Sequence, residues 1–436
     1  MAFAGRRGEL YEIPMVLPNT IDPVAYPERF LRAALDVAIA AVQPAICVPP
    51  ALPTPDPRGR TLVLGGGKAA AAMAAAVERH WPGPLSGLVV TREGYGCPTE
   101  RIEVVEAAHP VPDARGAAAA DRILALAGTA APEDIVLCLI SGGASALLAA
   151  PANGVALAEK RAITTALLKS GATIQELNCV RKHLSRLKGG RLAAATRGRI
   201  VTLIISDVVG DDPAVIASGP TVADPTTCAD ALAVLTRHQV PISAAVREGL
   251  ATGMFESPKT LPTADVRIIA RPRDALAAAL AFARKSGIAV LDLGDAVEGE
   301  ARRVAVEHAG LVDRIRRGEA AVSPPCLIVS GGELTVTVGG EGRGGPNTEY
   351  ALALAAQARD VWAIAADTDG TDGNAGAAGA FVRPDTAVRA AKAGLDPAAS
   401  LKRNDSAGFF RGLNDLVETG PTLTNVNDFR AILVLP

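Results

Sequence analysis

At 436 residues, with 49% hydrophobic but only 3% aromatic content and 43 glycines, the chain is long for one core and predicts two domains whose helices pack closely through small side chains. A formal net charge of −2 and no sustained basic stripe argue against nucleic acid as a partner, and no run approaches the ~18 apolar residues of a membrane helix. The six cysteines stand singly, which fits reduced thiols in a cytoplasmic protein better than disulfides or zinc. Arg6-Arg7 is followed by Glu9, Tyr11 and Glu12 where an export signal needs an apolar segment.

Residues 1–24 are Pro-dotted and aperiodic, as in a tail or surface arm, and helical spacing begins over 27–43. Beyond a Pro-rich connection, strands are predicted at 61–64, 87–91, 102–106 and 135–140, with helices at 69–79 and 116–126, the last of these strands being the six apolar residues that precede Ser141. The run Ile135 to Ile140 is apolar without alternation, as in a strand buried on both faces of a parallel sheet. Helices follow at 157–169 and 174–187, then a strand at 199–206. This is the rhythm of a doubly wound, mostly parallel, Rossmann-like sheet. The stretch 253–262, with Pro258, Lys259 and Pro262, reads as a linker, which divides the chain into α/β domains over 1–255 and 263–436 with a cleft between them. The second domain opens with a strand at 266–270, continues with helices at 273–286 and 298–317, and pairs strand 325–330 with 335–338 as a hairpin. Helix 348–358, strand 361–366 and a closing strand at 431–435 complete it.

The chemistry gathers in loops after strands. Gly65-Gly66-Gly67-Lys68 opens an Ala-rich helix, where free N–H groups and a cation favour phosphate. It is not a Walker A loop, because Leu62 and Ala69 stand where Gly and Ser or Thr are required. Gly65-x-Gly67-x-x-Ala70 does match the loose dinucleotide fingerprint, with Glu93 as a ribose ligand, and a glycine turn that only packs helix on sheet has the same residues. Ser141-Gly142-Gly143-Ala144-Ser145 offers hydroxyls and N–H groups to an anion, or a helix cap, and Ser330-Gly331-Gly332 repeats the device. Two such loops, facing one another, suggest a site in a cleft. Asn178, Arg181, Lys182 and Ser185 share one side of a basic helix, either as a carboxylate or phosphate site or as a solvated face, while His183 reads as a packing residue. Two acidic loops, Asp207 to Asp212 and Asp367 to Gly373, suit Mg²⁺ binding or deprotonation of a hydroxyl, although Asp and Gly also build ordinary turns.

Taken together these segments resemble a known family. Gly-Gly-Gly-Lys-Ala-Ala (65–70), Ser-Gly-Gly-Ala-Ser-Ala-Leu (141–147), Asn-Cys-Val-Arg-Lys-His-Leu-Ser (178–185), Lys-Gly-Gly-Arg-Leu-Ala (188–193), Ser-Asp-Val-Val-Gly-Asp-Asp (206–212) and Ala-Ser-Gly-Pro-Thr (217–221) are similar to the N-terminal domain of glycerate 2-kinases. Gly-Gly-Glu-Leu-Thr-Val-Thr (331–337), Gly-Arg-Gly-Gly-Pro-Asn-Thr-Glu (342–349), Thr-Asp-Gly-Thr-Asp-Gly (368–373) and the segment 419–428 resemble its MOFRL domain.

The resemblance implies ATP- and Mg²⁺-dependent phosphorylation of D-glycerate to 2-phosphoglycerate by a monomer or homodimer. A hydroxypyruvate reductase using NAD(P)H and a non-catalytic sensor of small phosphorylated acids are the alternatives. Phosphoryl transfer needs a cation, a metal holder and a group that orients the attacking hydroxyl. Lys68 is assigned to phosphate charge, Asp207 to hydroxyl activation or metal, and Asp369 and Asp372 to Mg²⁺ or substrate hydroxyls. Gly66, Gly67, Ser141, Gly142, Gly143, Ser145, Asn178, Arg181, Arg343 and Asn347 would bind substrate or phosphate. Many members carry Arg where this chain has Pro346, so a cationic role there cannot be transferred, and Arg343 is the nearest substitute.

Overall fold

The computed structural model describes residues 18–262 and 265–436. Most of the tail expected over 1–24 therefore lies outside the described residues, as does the start of the expected second domain at 263 and 264. The chain divides into two compact units, Pro44–Ala270 and a second one built from Arg271–Pro436 together with the segment up to Gln43.

The first unit is a six-stranded sheet of β1 (Thr61–Gly66), β2 (Leu85–Arg92), β3 (Ile102–Ala107), β4 (Ile135–Ser141), β5 (Arg199–Ile205) and β6 (Asp265–Ala270). The strands are parallel throughout, in the order β3-β2-β1-β4-β5-β6. Every residue of β1 and β4 is buried, as their unbroken apolar runs require. The order reverses between β1 and β4, and at such a switch point the loops leaving two neighbouring strands diverge and open a crevice at their carboxyl ends.

The second sheet holds β7 (Ala289–Asp292), β9 (Cys326–Ser330), β11 (Val361–Asp367), β12 (Gly379–Val382), β13 (Leu416–Val417) and β14 (Asp428–Val434), in the order β13-β12-β11-β14-β9-β7. Only β7 and β9 run parallel; the closing strand, β14, is central and antiparallel to both β11 and β9. Two short strands, β8 (Gly299–Glu300) and β10 (Leu334–Thr335), pair in parallel.

Four expectations are corrected. The domain boundary at 255/263 moves to 270/271, because β6 is the sixth strand of the first sheet and not the first of the second. The expected linker is anchored in the first unit: Pro258 carbonyl accepts from Asp224 N–H at 3.0 Å, and Ser257 Oγ donates to Asp224 Oδ2 at 2.9 Å. The helix Pro27–Ala41 belongs to the second unit, where Phe30 stacks on Phe282 of the helix Pro272–Lys285 with ring centroids 5.4 Å apart. Lastly, β9 and β10 form no hairpin. Both edges of β9 are already filled by β14 and β7, and Gly332 turns the chain at φ 99° so closely against Val297 that a Cβ would lie 2.3 Å from its carbonyl oxygen.

All six cysteines are free thiols, four of them buried. Among the described residues no helix is long and apolar enough to cross a membrane.

Candidate functional site

The loops leaving β1 and β4 are joined at the switch point. Register pairs Gly66 with Ile140, so the next residues, Gly67 and Ser141, emerge side by side. Lys68 N–H donates to Gly142 carbonyl at 2.8 Å, and Ala69 N–H donates to Ser141 Oγ at 3.0 Å. A Cβ on Gly67 would stand 2.1 Å from Ser141 Oγ, so only glycine permits this approach. Gly143 adopts φ 82°, where a Cβ would lie 3.3 Å from Lys68 Cγ and 3.1 Å from His109 Nε2. Lys68 and His109 thus flank the turn from which the short helix Ala144–Leu147 departs.

A polar chain leads inward. Ser145 Oγ lies 3.0 Å from Ser218 Oγ, which donates to Asn178 Oδ1 at 3.0 Å. Asn178 Nδ2 is buried and has no hydrogen-bond partner among the described residues. Ala217 and Ser218 hold φ values of 55° and 59°, a conformation that turns the Ser218 hydroxyl toward this chain at a cost in backbone strain.

Arg181, one turn along from Asn178, lines a cavity of about 790 Å³ together with Gly143, Ser145, His109, Lys160 and Lys188. No carboxylate lines this cavity. Lys160 and Lys188 are buried, and their ammonium groups reach main-chain carbonyls, Leu184 at 2.7 Å and Leu148 at 3.2 Å. Burial, with Arg181 nearby, lowers Lys188 to about 7; burial and the surrounding cations lower Lys160 as well, and burial alone lowers Arg181. These three cations, with Arg161 also in the lining and no carboxylate there, suit the cavity to an anion.

The basic helix, expected over 174–187, ends at His183, and its polar face divides. Arg181 lines the cavity and Asn178 accepts from Ser218 Oγ, whereas Lys182 pairs with the buried Asp224 at 3.2 Å. Ser185 Oγ accepts from the N–H groups of Leu187 and Lys188, and His183 packs with Nδ1 2.8 Å from Cys179 carbonyl. Glu93 is exposed and lies 3.4 Å from Arg115.

Asp207 lies half-buried just past β5, whose last residue, Ile205, pairs with Ser141. The other acidic loop has work within its own unit. Asp372 is buried at the N-terminus of the helix Pro346–Gln357: Oδ2 accepts from Thr348 N–H and Oγ1, both at 2.8 Å, and Oδ1 accepts from Asn347 N–H at 2.9 Å. Burial, opposed by these donors, raises it to about 7. Asn347 Nδ2 donates to Asp428 Oδ1 at 2.7 Å, and Asp369 Oδ1 accepts from Thr371 N–H at 2.7 Å. Arg343 is exposed, with its N–H donating to Asp405 Oδ1 at 3.2 Å. Ser330 and Gly331 accept from the guanidinium of Arg430, which also pairs with Asp428 at 2.9 Å. Asp372, Asn347 and Ser330 are thus each held by hydrogen bonds within their own unit.

Sequence reasoning missed Lys160, and it quoted Lys188 without a role. Lys160 sits in an amphipathic helix as any surface lysine would, so only burial distinguishes it.

Residues 30–251 match a model described as a domain of unknown function, DUF4147, and residues 326–428 match the MOFRL family. A protein of Agrobacterium vitis whose name carries a provisional hydroxypyruvate reductase assignment is 52% identical over 93% of this chain and 94% of its own length. The D-glycerate 2-kinase of Thermotoga maritima is 37% identical over 92% of this chain and 98% of its own. A crystal structure of glycerate kinase from Thermotoga maritima aligns with a TM-score of 0.84 at 36% identity, covering 94% of this chain and 100% of that one.

Proposed function

We propose that this chain, which belongs to the glycerate 2-kinase family and is an enzyme of that kinase class, transfers the γ-phosphoryl group of ATP to the 2-hydroxyl of D-glycerate with Mg²⁺, giving 2-phosphoglycerate and ADP. The observation that carries this reading is the carboxylate-free ring of Lys160, Arg181 and Lys188 beside the glycine loop of Lys68. A transferring phosphoryl group spreads negative charge over its three equatorial oxygens, which cations so placed would neutralise.

In the reaction the 2-hydroxyl loses its proton, its oxygen bonds to Pγ, and the bond from Pγ to the β,γ-bridging oxygen breaks, leaving ADP. Lys68 offers a point charge to the phosphoryl oxygens, and the N–H groups of the glycine loop and of residues 142–145 orient them. Asp207 accepts the hydroxyl proton or holds the metal. The half-buried Asp207 would suit Mg²⁺, an ion that prefers one or two carboxylates alongside substrate phosphates. Asp369 and Asp372, turned toward backbone N–H groups, suit a bare ion less well. Among the described residues the one group of three candidate ligands within 4.8 Å is His183, Cys228 and Glu256, which neither acidic loop joins. When bound, the ion supplies charge neutralisation on the β- and γ-phosphates.

The test is a paired assay. Purified protein with ATP, Mg²⁺ and D-glycerate should release ADP and 2-phosphoglycerate, and should not oxidise NADH with hydroxypyruvate. NADH oxidation without ADP formation would replace the kinase by the reductase.

A further inference from the structure

We propose that the cavity of about 790 Å³ lined by Lys160, Arg181 and Lys188 is the nucleotide site, with these three cations facing the polyphosphate of a nucleoside triphosphate. The inference rests on the kinase reading and decides what that reading leaves open, namely which substrate this cavity takes.

Size is the first argument. Cavities of roughly 300–1,000 Å³ bury drug-sized ligands, which is the scale of an adenine nucleotide, while a three-carbon acid would leave most of this volume filled with water. Chemistry is the second. Val111, Ala146, Ala149 and Leu168 add apolar surface to the lining, suited to a base and useless to glycerate. The charge count is the third. Each ammonium carries three donors, and the protein supplies Lys160 and Lys188 with one carbonyl acceptor apiece. Arg181 has no ion-pair partner among the described residues, and a single carboxylate would meet only one or two of the basic groups that line the cavity. A polyphosphate would meet more of them. Continuity is the fourth. Gly143 and His109 line the cavity and also border Lys68, so a phosphate chain held there can extend to the lysine assigned to the transferring group.

The experiment measures binding apart from turnover. A non-hydrolysable ATP analogue, adenylyl imidodiphosphate, and D-glycerate are titrated separately by calorimetry into wild type, Lys188→Met and Thr165→Trp, with KM determined for both substrates. Thr165 is an exposed residue of the cavity wall, so an indole there narrows the cavity without loading the core; this variant carries the test should Lys188→Met fail to fold. The expected result is at least a tenfold weaker analogue affinity and a matching rise in KM for ATP, with KM for glycerate within twofold of wild type. Loss confined to glycerate, equal loss for both ligands, or no change in either would overturn the assignment. A chain that binds the analogue in this pattern but phosphorylates no glycerate keeps the cavity and sinks the reaction. Phosphorylation with an unaltered KM for ATP in the folded variants does the reverse.

Discussion

The main-chain N–H of Lys68 donates to the carbonyl of Gly142 at 2.8 Å and ties the loop after β1 to the loop after β4. Ala69 N–H on Ser141 Oγ makes a second link at 3.0 Å. The placement of Lys68 thus depends on a glycine that precedes it.

Gly67→Ala puts a methyl group where Ser141 Oγ stands 2.1 Å and Ser141 carbonyl oxygen 2.6 Å away. The loops must part. Overpacking of this kind costs about 1–3 kcal/mol, and kcat/KM should fall with it because Lys68 is displaced. Urea unfolding and steady-state kinetics read the two effects. Wild-type stability and turnover together would mean that the loop contact is dispensable.

Lys68→Ala removes the charge and keeps the loop, since alanine suits a helix start. The expected loss in kcat/KM is about 10²–10⁴, as for other positioned donors on a developing anion, with an unchanged unfolding midpoint. Turnover near that of wild type would return the glycine loop to a packing role.

Asp372→Asn separates a structural from a metal role. The amide presents N–H groups to the donors of Asn347 or Thr348, so unfolding free energy should drop by about 1–3 kcal/mol. The Mg²⁺ concentration for half-maximal rate should not move. A higher Mg²⁺ requirement at unchanged stability would reinstate Asp372 as a ligand.

The pH dependence follows from Lys188, lowered to about 7 by burial and then by Arg181. In the unfolded chain the same amine stays charged to about 10.4. Between these values the unfolded state binds the extra proton, so the unliganded protein gains stability as pH rises from about 7 toward 10, and the cost of burying the charge is fully present below 7. Ligand affinity runs the other way. An anion prefers the protonated amine, so analogue binding should weaken above about pH 7, by up to about tenfold per unit, with net proton uptake visible as a buffer-dependent heat. Lys188→Met should remove both trends; their survival in that variant would exclude Lys188 as their source.

What the sequence determines here is whatever depends on neighbours along the chain. The apolar run 135–140 demands a doubly buried strand, and Gly65 to Lys68 and Ser141 to Ser145 must be turns at strand ends, because only small residues and helix starts follow. Those local rules suffice for the α/β class and for half of the candidate site. Tertiary structure decided the rest. Whether β6 ends one sheet or begins another depends on which edge is open, and nothing within 265–270 records that. Asp372 and Asp207 look alike as carboxylates after strands, yet one is consumed by the helix at Thr348 and the other lies half-buried past β5. Lys160 and Lys188 read as solvated lysines until the fold takes them out of water beside Arg181. Burial and partner choice arise from contacts between distant segments, and those contacts gather these ordinary cations around one cavity that no carboxylate lines.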